Sequence, residues 1–459
     1  MTVTTDVAQG AEPQCPECGT PVTGGGRYVA WCAACEWNVD PEVRDEESPG
    51  RIERMRRGLA RRYGEQLFDE LGAADRDGDR DRDTGSDGHD GGDGDGGRTD
   101  GAAAGRRPRR GAAGALATAL ALTVHGVTLA MLAVGVWLVV AGWGTSALPV
   151  LGGFLLLVAF VLRPRFDSLA KVEDRLPVLR RDDAPKLFAL LDEVAASAGT
   201  TGVRAVVIDA DTNASVSAYG IRQHRVLHLG LGLWQTLSPQ ERIALLGHEF
   251  GHYAHGDTRH SLVVGNAFRS LSTWRYALAS EPADSLMGHF VNLVTALPRL
   301  LVEGVVVLLD QLTLRGSQRA EYLADSTAAR AAGTEAAAGL MDRLLVSDGV
   351  TGELRREAVA ARTRIGGARR DDPAEGLWER LAAHAASVPE HEYERLRRVA
   401  ERRGHSVDST HPPTHLRHRR LTGGERREAL IVLDAPRAAE VDAELADARR
   451  VIAREVVRG

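Results

Sequence analysis

Gly247-His248-Glu249-Phe250-Gly251-His252-Tyr253-Ala254-His255-Gly256-Asp257 is the stretch from which the rest of the chain is read. Four positions separate His248 from His252, so a helix brings both imidazoles to one face, close enough to share a metal ion. A zinc ion held by two histidines and one further ligand keeps an open position for water and lowers the pKa of that water. Glu249, adjacent in sequence, is the carboxylate that can take the released proton. The spacing is H-E-x-x-H. Just upstream, Leu237-Ser238-Pro239-Gln240-Glu241 supplies a helix start, with Ser238 as cap, Pro239 at the first position and Glu241 closing a capping box. His248 and His252 therefore fall in the middle of a well-started helix.

Working backward, Arg204 to Ala210 and Arg225 to Leu229 are β-branched or alternating and read as strands, with Asn213 to Gly220 between them as an edge strand. Ala184 to Ala198 carries Leu187, Leu190, Leu191 and Val194 at helical spacing and ends at Gly199. Working forward, a third zinc ligand is sought in Arg319-Ala320-Glu321-Tyr322-Leu323-Ala324-Asp325. Glu321 can reach the metal while Asp325, one turn on, accepts the free N–H of a liganding histidine and fixes its tautomer. On spacing alone, a solvated helix face accounts for that pair better.

The order of these motifs alters that balance. Two strands with Asn213-Ala214 between them, Leu231, the capping box, His248-Glu249-Phe250-Gly251-His252 with Asp257, and then Glu321 to Asp325 resemble the membrane-bound zinc metallopeptidases of the HtpX and CAAX prenyl endopeptidase type. The resemblance spans roughly residues 165 to 420. It implies a gluzincin fold, mainly α with a small β-sheet. It also implies zinc on His248, His252 and Glu321, Glu249 as general base and Asp325 beside the ligands. A Thr-His-Pro segment near the family's end corresponds to Thr410-His411-Pro412-Pro413, with Arg417 following. His411 or Arg417 is then a candidate to steady an oxyanion, or His411 to approach the zinc; a solvated basic turn explains the same histidines. Asn213 and Ala214 head the segment that is placed to receive substrate as an added strand.

The rest of the chain frames this unit. It has 459 residues and a net charge of -6, and Lys171 and Lys186 are its only lysines; the Arg, Ala and Gly bias reads as bacterial codon usage. All four cysteines, Cys15, Cys18, Cys32 and Cys35, form two C-x-x-C pairs before residue 36. No apolar signal region accompanies them, so a reducing cytosolic setting and a structural four-thiolate zinc site are expected over residues 1–42. Arg27 is the sole basic side chain among the first 40 residues, against five acidic ones, which argues against nucleic acid and for a protein partner or a purely structural ribbon. Residues 43–71 read as an amphipathic helix packing on the ribbon or on another copy, and 72–112 as a disordered Asp/Gly/Arg-rich linker. The alternating aspartates from Asp75 to Asp83 lack the glycine and glutamate of a calcium loop.

From Gly111 to Leu162 no residue is formally charged. That length fits a transmembrane hairpin over 113–163, with helices near 115–141 and 147–163 and a turn at Gly142 to Ser146. Arg106 to Arg110 on one side and Arg163, Arg165 and Lys171 on the other put both ends in the cytosol, together with the metallopeptidase unit at 164–459. Phe290 to Leu314 is apolar but interrupted by Arg299, Glu303 and Asp310, and reads as a core or membrane-resting helix. The expectation is a membrane-anchored zinc endopeptidase with two zinc ions, one catalytic and one structural, acting on protein substrates at the cytoplasmic face. A tethered ribbon adaptor with an inactive peptidase fold is the alternative.

Overall fold

The structure, a computed structural model, describes residues 13–41, 51–84, 112–144, 147–163, 168–220, 222–254, 262–280, 282, 285–364, 372, 374–403 and 411–458. The ribbon is followed by helices α1 (Arg51–Thr84), α2 (Ala112–Ala141), α3 (Ala147–Leu162) and α4 (Leu169–Glu173) and by strand β1 (Val178–Leu179). Next come α5 (Pro185–Ser197), β2 (Ala205–Asp209), β3 (Ala214–Tyr219), β4 (His224–Gly230) and the single turn α6 (Leu231–Trp234). Helices α7 (Pro239–Ala254), α8 (Leu262–Ala277) and α9 (Leu286–Ala332) carry the chain through the site. The remainder is helical: α10 (Thr334–Leu345), α11 (Ser347–Arg364), α12 (Leu377–Ala386), α13 (Glu390–Arg403), α14 (Thr414–Gly423), α15 (Ala435–Glu444) and α16 (Ala446–Arg458).

The sheet is small and mixed, in the order β1-β2-β4-β3, with β2 and β4 parallel and the outer pairs antiparallel. One of its faces puts Val206, Ile208, Leu227 and Leu229 against Leu187 and Leu191 of α5 and against Ile243, Leu246 and Phe250 of α7. Each such fully buried side chain contributes about 1.5–3 kcal/mol relative to exposure, so this layer fixes α7 on the sheet. Helix α5 has no side-chain cap of its own; Glu444 of α15 accepts from Lys186 N and Leu187 N, each at 2.9 Å. The capping box forms as the sequence indicates: Ser238 N donates to Glu241 Oε2 at 2.7 Å and Glu241 N to Ser238 Oγ at 3.3 Å.

Two glycines of the opening stretch set the distance between α7 and α9. A Cβ on Gly251 would stand 2.8 Å from Ala324 Cα, and one on Gly247 would stand 3.1 Å from Ala328 Cα. Backbones this close allow side chains flanking the glycines, His248 and His252, to meet those flanking Ala324, Glu321 and Asp325.

A second cluster joins α2, α8 and α9 through Ala117, Ala121 and Val124, Val264, Ala267 and Leu271, and Val302 and Leu309. His125 Nε2 lies 3.0 Å from Val263 O, and Trp274 Nε1 donates to Leu162 O at 2.8 Å. Helices α2 and α3 approach closely at Gly135 and Gly152, the small-residue contact by which helices associate where no hydrophobic effect drives them together. Among the described residues, α2 and α9 are the two helices long and apolar enough to cross a membrane, and α3 is a shorter apolar helix.

Two sequence-based expectations change here. The core position expected for 290–314 holds only for its second half, where Val302, Leu309 and Leu314 are buried, whereas Phe290, Leu293, Val294, Leu297, Leu300 and Leu301 are all exposed. Two of its three charges have protein partners: Glu303 pairs with Arg275 at 2.9 Å and Asp310 with Arg56 at 2.7 Å. Helix α1 packs on α9 and α14, and its backbone continues past Leu71 to Thr84, across the first part of the stretch read as linker. The remainder of that stretch, and Arg106 to Arg110, lie outside the described residues.

Candidate active site

Helix α7 presents His248 and His252 inward, and α9 brings Glu321 up to them. The two Nε2 atoms are 3.2 Å apart, His248 Nε2 is 3.5 Å from Glu321 Oε2, and His252 Nε2 is 3.5 Å from Glu321 Oε1. Zinc bonds of about 2.0–2.1 Å in a tetrahedral shell place donors about 3.3 Å apart, so one ion fits this triangle. Glu321 Oε2 is a buried oxygen with no hydrogen bond among the described residues, the condition a metal would relieve. Donor chemistry and spacing both fit zinc.

Behind the triangle stands a charged pair. His248 Nδ1 is 3.0 Å from Asp325 Oδ1, and Arg417 of α14 grips the same carboxylate with two bonds, Nε to Oδ2 at 2.8 Å and Nη2 to Oδ1 at 2.7 Å. Arg417 Nη2 is also 3.4 Å from His248 Nδ1, but a nitrogen that donates its proton to Asp325 cannot accept one from Arg417. We therefore read the shorter contact as the hydrogen bond. Burial pushes the Asp325 carboxyl up, yet the charge and hydrogen bonds of Arg417 outweigh it and hold Asp325 well below the usual carboxylate range. Burial works against the charge of Arg417 too, and Asp325 and Glu321 reverse it, so the guanidinium is held above its ordinary value.

Arg417, also a candidate for steadying an oxyanion, is 1% exposed, bound to Asp325 by two hydrogen bonds and 3.5 Å from Glu321 Oε2. His411 is the residue that the Thr-His-Pro segment brings to the site: its Nε2 is 3.2 Å from Glu321 Oε1, and its side chain is 21% exposed. Glu249 is partly buried on α7, next to His248. His255, Asp257 and Thr410 lie outside the described residues.

Asn213 and Ala214 head β3, the edge strand, and spacing gave no hint of what holds it. Tyr253, which follows His252, donates its hydroxyl to Val216 O at 3.0 Å, and the Arg225 guanidinium lies 4.4 Å from its ring. Tyr253 thus ties the edge strand to the zinc-motif helix. Burial raises its pKa, so the hydroxyl keeps the proton it donates.

In the ribbon, Cys15 and Cys35 Sγ are 3.5 Å apart, as are those of Cys18 and Cys32, and all four sulfurs lie within 4.8 Å of one another. The knuckles close through Gly19 N to Cys15 O and Glu36 N to Cys32 O, each 2.9 Å. Gly24, Gly25 and Gly26 turn between them with positive φ. This four-cysteine cluster is consistent with a zinc ribbon.

Two histidines one helical turn apart, an intervening glutamate, and a second glutamate from another helix define a metallopeptidase-type site on a mostly helical fold with a small sheet. Residues 182–425, more than half of the chain, match the description Peptidase family M48, and the chain belongs to that family. It is similar to a Protease HtpX homolog of Pyrobaculum calidifontis, 31% identical over 157 residues, covering 33% of this chain and 44% of that protein. It is also similar to Protease HtpX of Pseudomonas putida GB-1, 26% identical over 172 residues, or 36% and 57% of the two chains. A homolog in Syntrophobacter fumaroxidans is 25% identical over 173 residues, 36% and 59%. The chain spans about half the length of the curated relatives it matches. No solved structure matches it.

Proposed function

We propose that the chain is a membrane-anchored zinc endopeptidase that hydrolyses peptide bonds of protein substrates at the cytoplasmic face. The observation that carries this is the buried triangle of His248, His252 and Glu321 with Glu249 beside it, in a chain of the M48 family. Zinc held by that triangle would supply an acidified water and polarise the scissile carbonyl. Glu249 takes the proton of the attacking water and returns it to the leaving amine. Asp325 keeps the Nδ1 proton of His248 and so leaves Nε2 as the donor toward the metal; Arg417 keeps Asp325 charged. His411 stands at the open side of Glu321, where a ring N–H can steady negative charge on the substrate.

The bilayer reading rests on α2, α3 and the first half of α9, whose side chains at Leu129, Phe154 and Leu293 among others are exposed and apolar. With Arg106 to Arg110 and Arg163 flanking the hairpin, both ends fall on the cytoplasmic side. Substrate adds to the edge of β3 at Asn213 and Ala214, where it displaces the Asn213 Oδ1 that accepts from Ala214 N at 2.9 Å; farther along, the Val216 carbonyl accepts from Tyr253.

The test is cleavage of an unfolded protein by the full chain in detergent micelles. Chelation should abolish cleavage and release two zinc ions, and adding back zinc should restore it; undiminished cleavage after complete metal removal would sink the reading. In the same assay Ala214→Pro, which removes the N–H that Asn213 Oδ1 holds until substrate takes its place, should raise KM for long substrates more than it lowers kcat. An unchanged KM would dismiss the strand.

A further inference from the structure

The acidic ribbon, unsuited to phosphate, has a partner within the chain. It lies on the basic face of α13, where Arg398 donates to Ala33 O at 2.8 Å with its guanidinium 4.9 Å from the Trp31 ring. Arg395 donates to Val39 O at 2.9 Å, Arg402 pairs with Glu36, and Arg403 pairs with Asp40. Arg402 and Arg403 end α13, and the chain reaches His411 eight residues later.

Helix α1 meets the same region from another side. Gln318 Nε2 donates to Ala60 O at 2.7 Å and Tyr322 Oη to Gly64 O at 3.3 Å, so main-chain oxygens of α1 hold the residues on either side of Glu321. A Cβ on Gly64 would stand 2.8 Å from Pro413 Cδ and 3.5 Å from Pro412 Cβ. The two prolines that follow His411 thus rest on the bare backbone of α1, an approach only glycine permits. Beyond them, Arg419 of α14 places its guanidinium 5.7 Å from the Phe68 ring.

We infer that the ribbon and α1 are a positioning element of the peptidase site. Helix α1 seats the His411-Pro412-Pro413 turn against Glu321, and the ribbon anchors the end of α13, eight residues before His411 in the chain. The inference rests on the peptidase reading above. It assigns the ribbon an intramolecular partner, the arginine face of α13, and makes Gly64, Glu36 and Asp40 positioning residues though none touches the metal ligands.

The experiment uses the full chain in detergent micelles, with Glu249→Gln as control. It follows kcat, KM and zinc content, and amide hydrogen exchange over 411–423. Gly64→Ala, whose methyl meets Pro413 Cδ, should lower kcat about tenfold or more, speed exchange over 411–423, and leave KM and zinc content unchanged. Combining it with Pro413→Ala, which removes that Cδ, should restore both readouts. Asp40→Arg should act in the same direction and the swap Asp40→Arg with Arg403→Asp should reverse it. Wild-type kcat and exchange in Gly64→Ala and Asp40→Arg would overturn the inference. So would a fall in kcat that comes with loss of zinc and is not reversed by the paired variants, which marks a merely structural contact. If the wild type cleaves no better than Glu249→Gln, it is the peptidase reading that fails.

Discussion

A Glu249→Gln variant should keep its full zinc content and lose cleavage by between about 10²- and 10⁴-fold. The amide has nearly the shape of the carboxylate, so packing on α7 is preserved. Glu249 is also not one of the three groups that converge on the metal position, so the ligand set is intact. What disappears is a base to take the proton of the attacking water and an acid to deliver it to the leaving amine. Changes at His248, His252 or Glu321 remove a ligand and should lower zinc content and cleavage together. Metal analysis beside kcat/KM separates the two kinds of loss. A Glu249→Gln chain with zinc and undiminished activity would favour the tethered adaptor.

Arg417→Met is expected to destabilise the folded chain by about 3–5 kcal/mol, because it leaves the Asp325 carboxylate buried and unpaired. At roughly 2–4 °C per kcal/mol for a unit of this size, thermal unfolding should show a fall near 10 °C. Asp325→Asn combined with Arg417→Met should recover part of it, since neither partner is then an isolated charge. The pH dependence follows from the depressed pKa of Asp325. Its contribution is fully present above the unfolded value of about 3.9 and declines as pH falls toward the folded value. Without Arg417 the burial of Asp325 is unopposed and raises its pKa in the variant, so the gap between wild type and Arg417→Met should narrow as pH falls through that raised value, before the acid range in which the wild-type carboxylate titrates. An equal gap at acidic and neutral pH would place the loss in packing and not in charge.

Local rules made much of this architecture legible. Ser238, Pro239 and Glu241 announced the start of α7 because a capping box is satisfied within one turn. Gly199 announced the end of α5 because its φ of +73° is open to glycine. Periodicity placed single strands and helices, while the mostly helical fold with its small sheet came with the HtpX-type likeness that the order of motifs carries. The partners of long side chains stayed hidden, since charge alone does not say what a residue faces. Arg417, a candidate cation for substrate, holds Asp325 with two bonds, and nothing in the sequence joined Arg56 to the Asp310 it neutralises. Phe290 to Leu314 shows the same limit: the counter-ions of Asp310 and Glu303 lie on α1 and α8, out of reach of a charge count along the sequence. Gly64 gave no signal at all, because a helical glycine betrays a close approach only when the other backbone is in view.

The continuity of α9 also has a metric meaning. One helix runs from the apolar residues around Leu301 to Glu321, and a rise of 1.5 Å per residue makes that span about 30 Å. On the bilayer reading proposed above, the site is held at a fixed distance from the exposed apolar half of α9, and a membrane-anchored substrate would have to span that distance, at about 3.3–3.6 Å per extended residue, before a bond came within reach. Tails shorter than this would be spared by geometry alone, whatever their sequence.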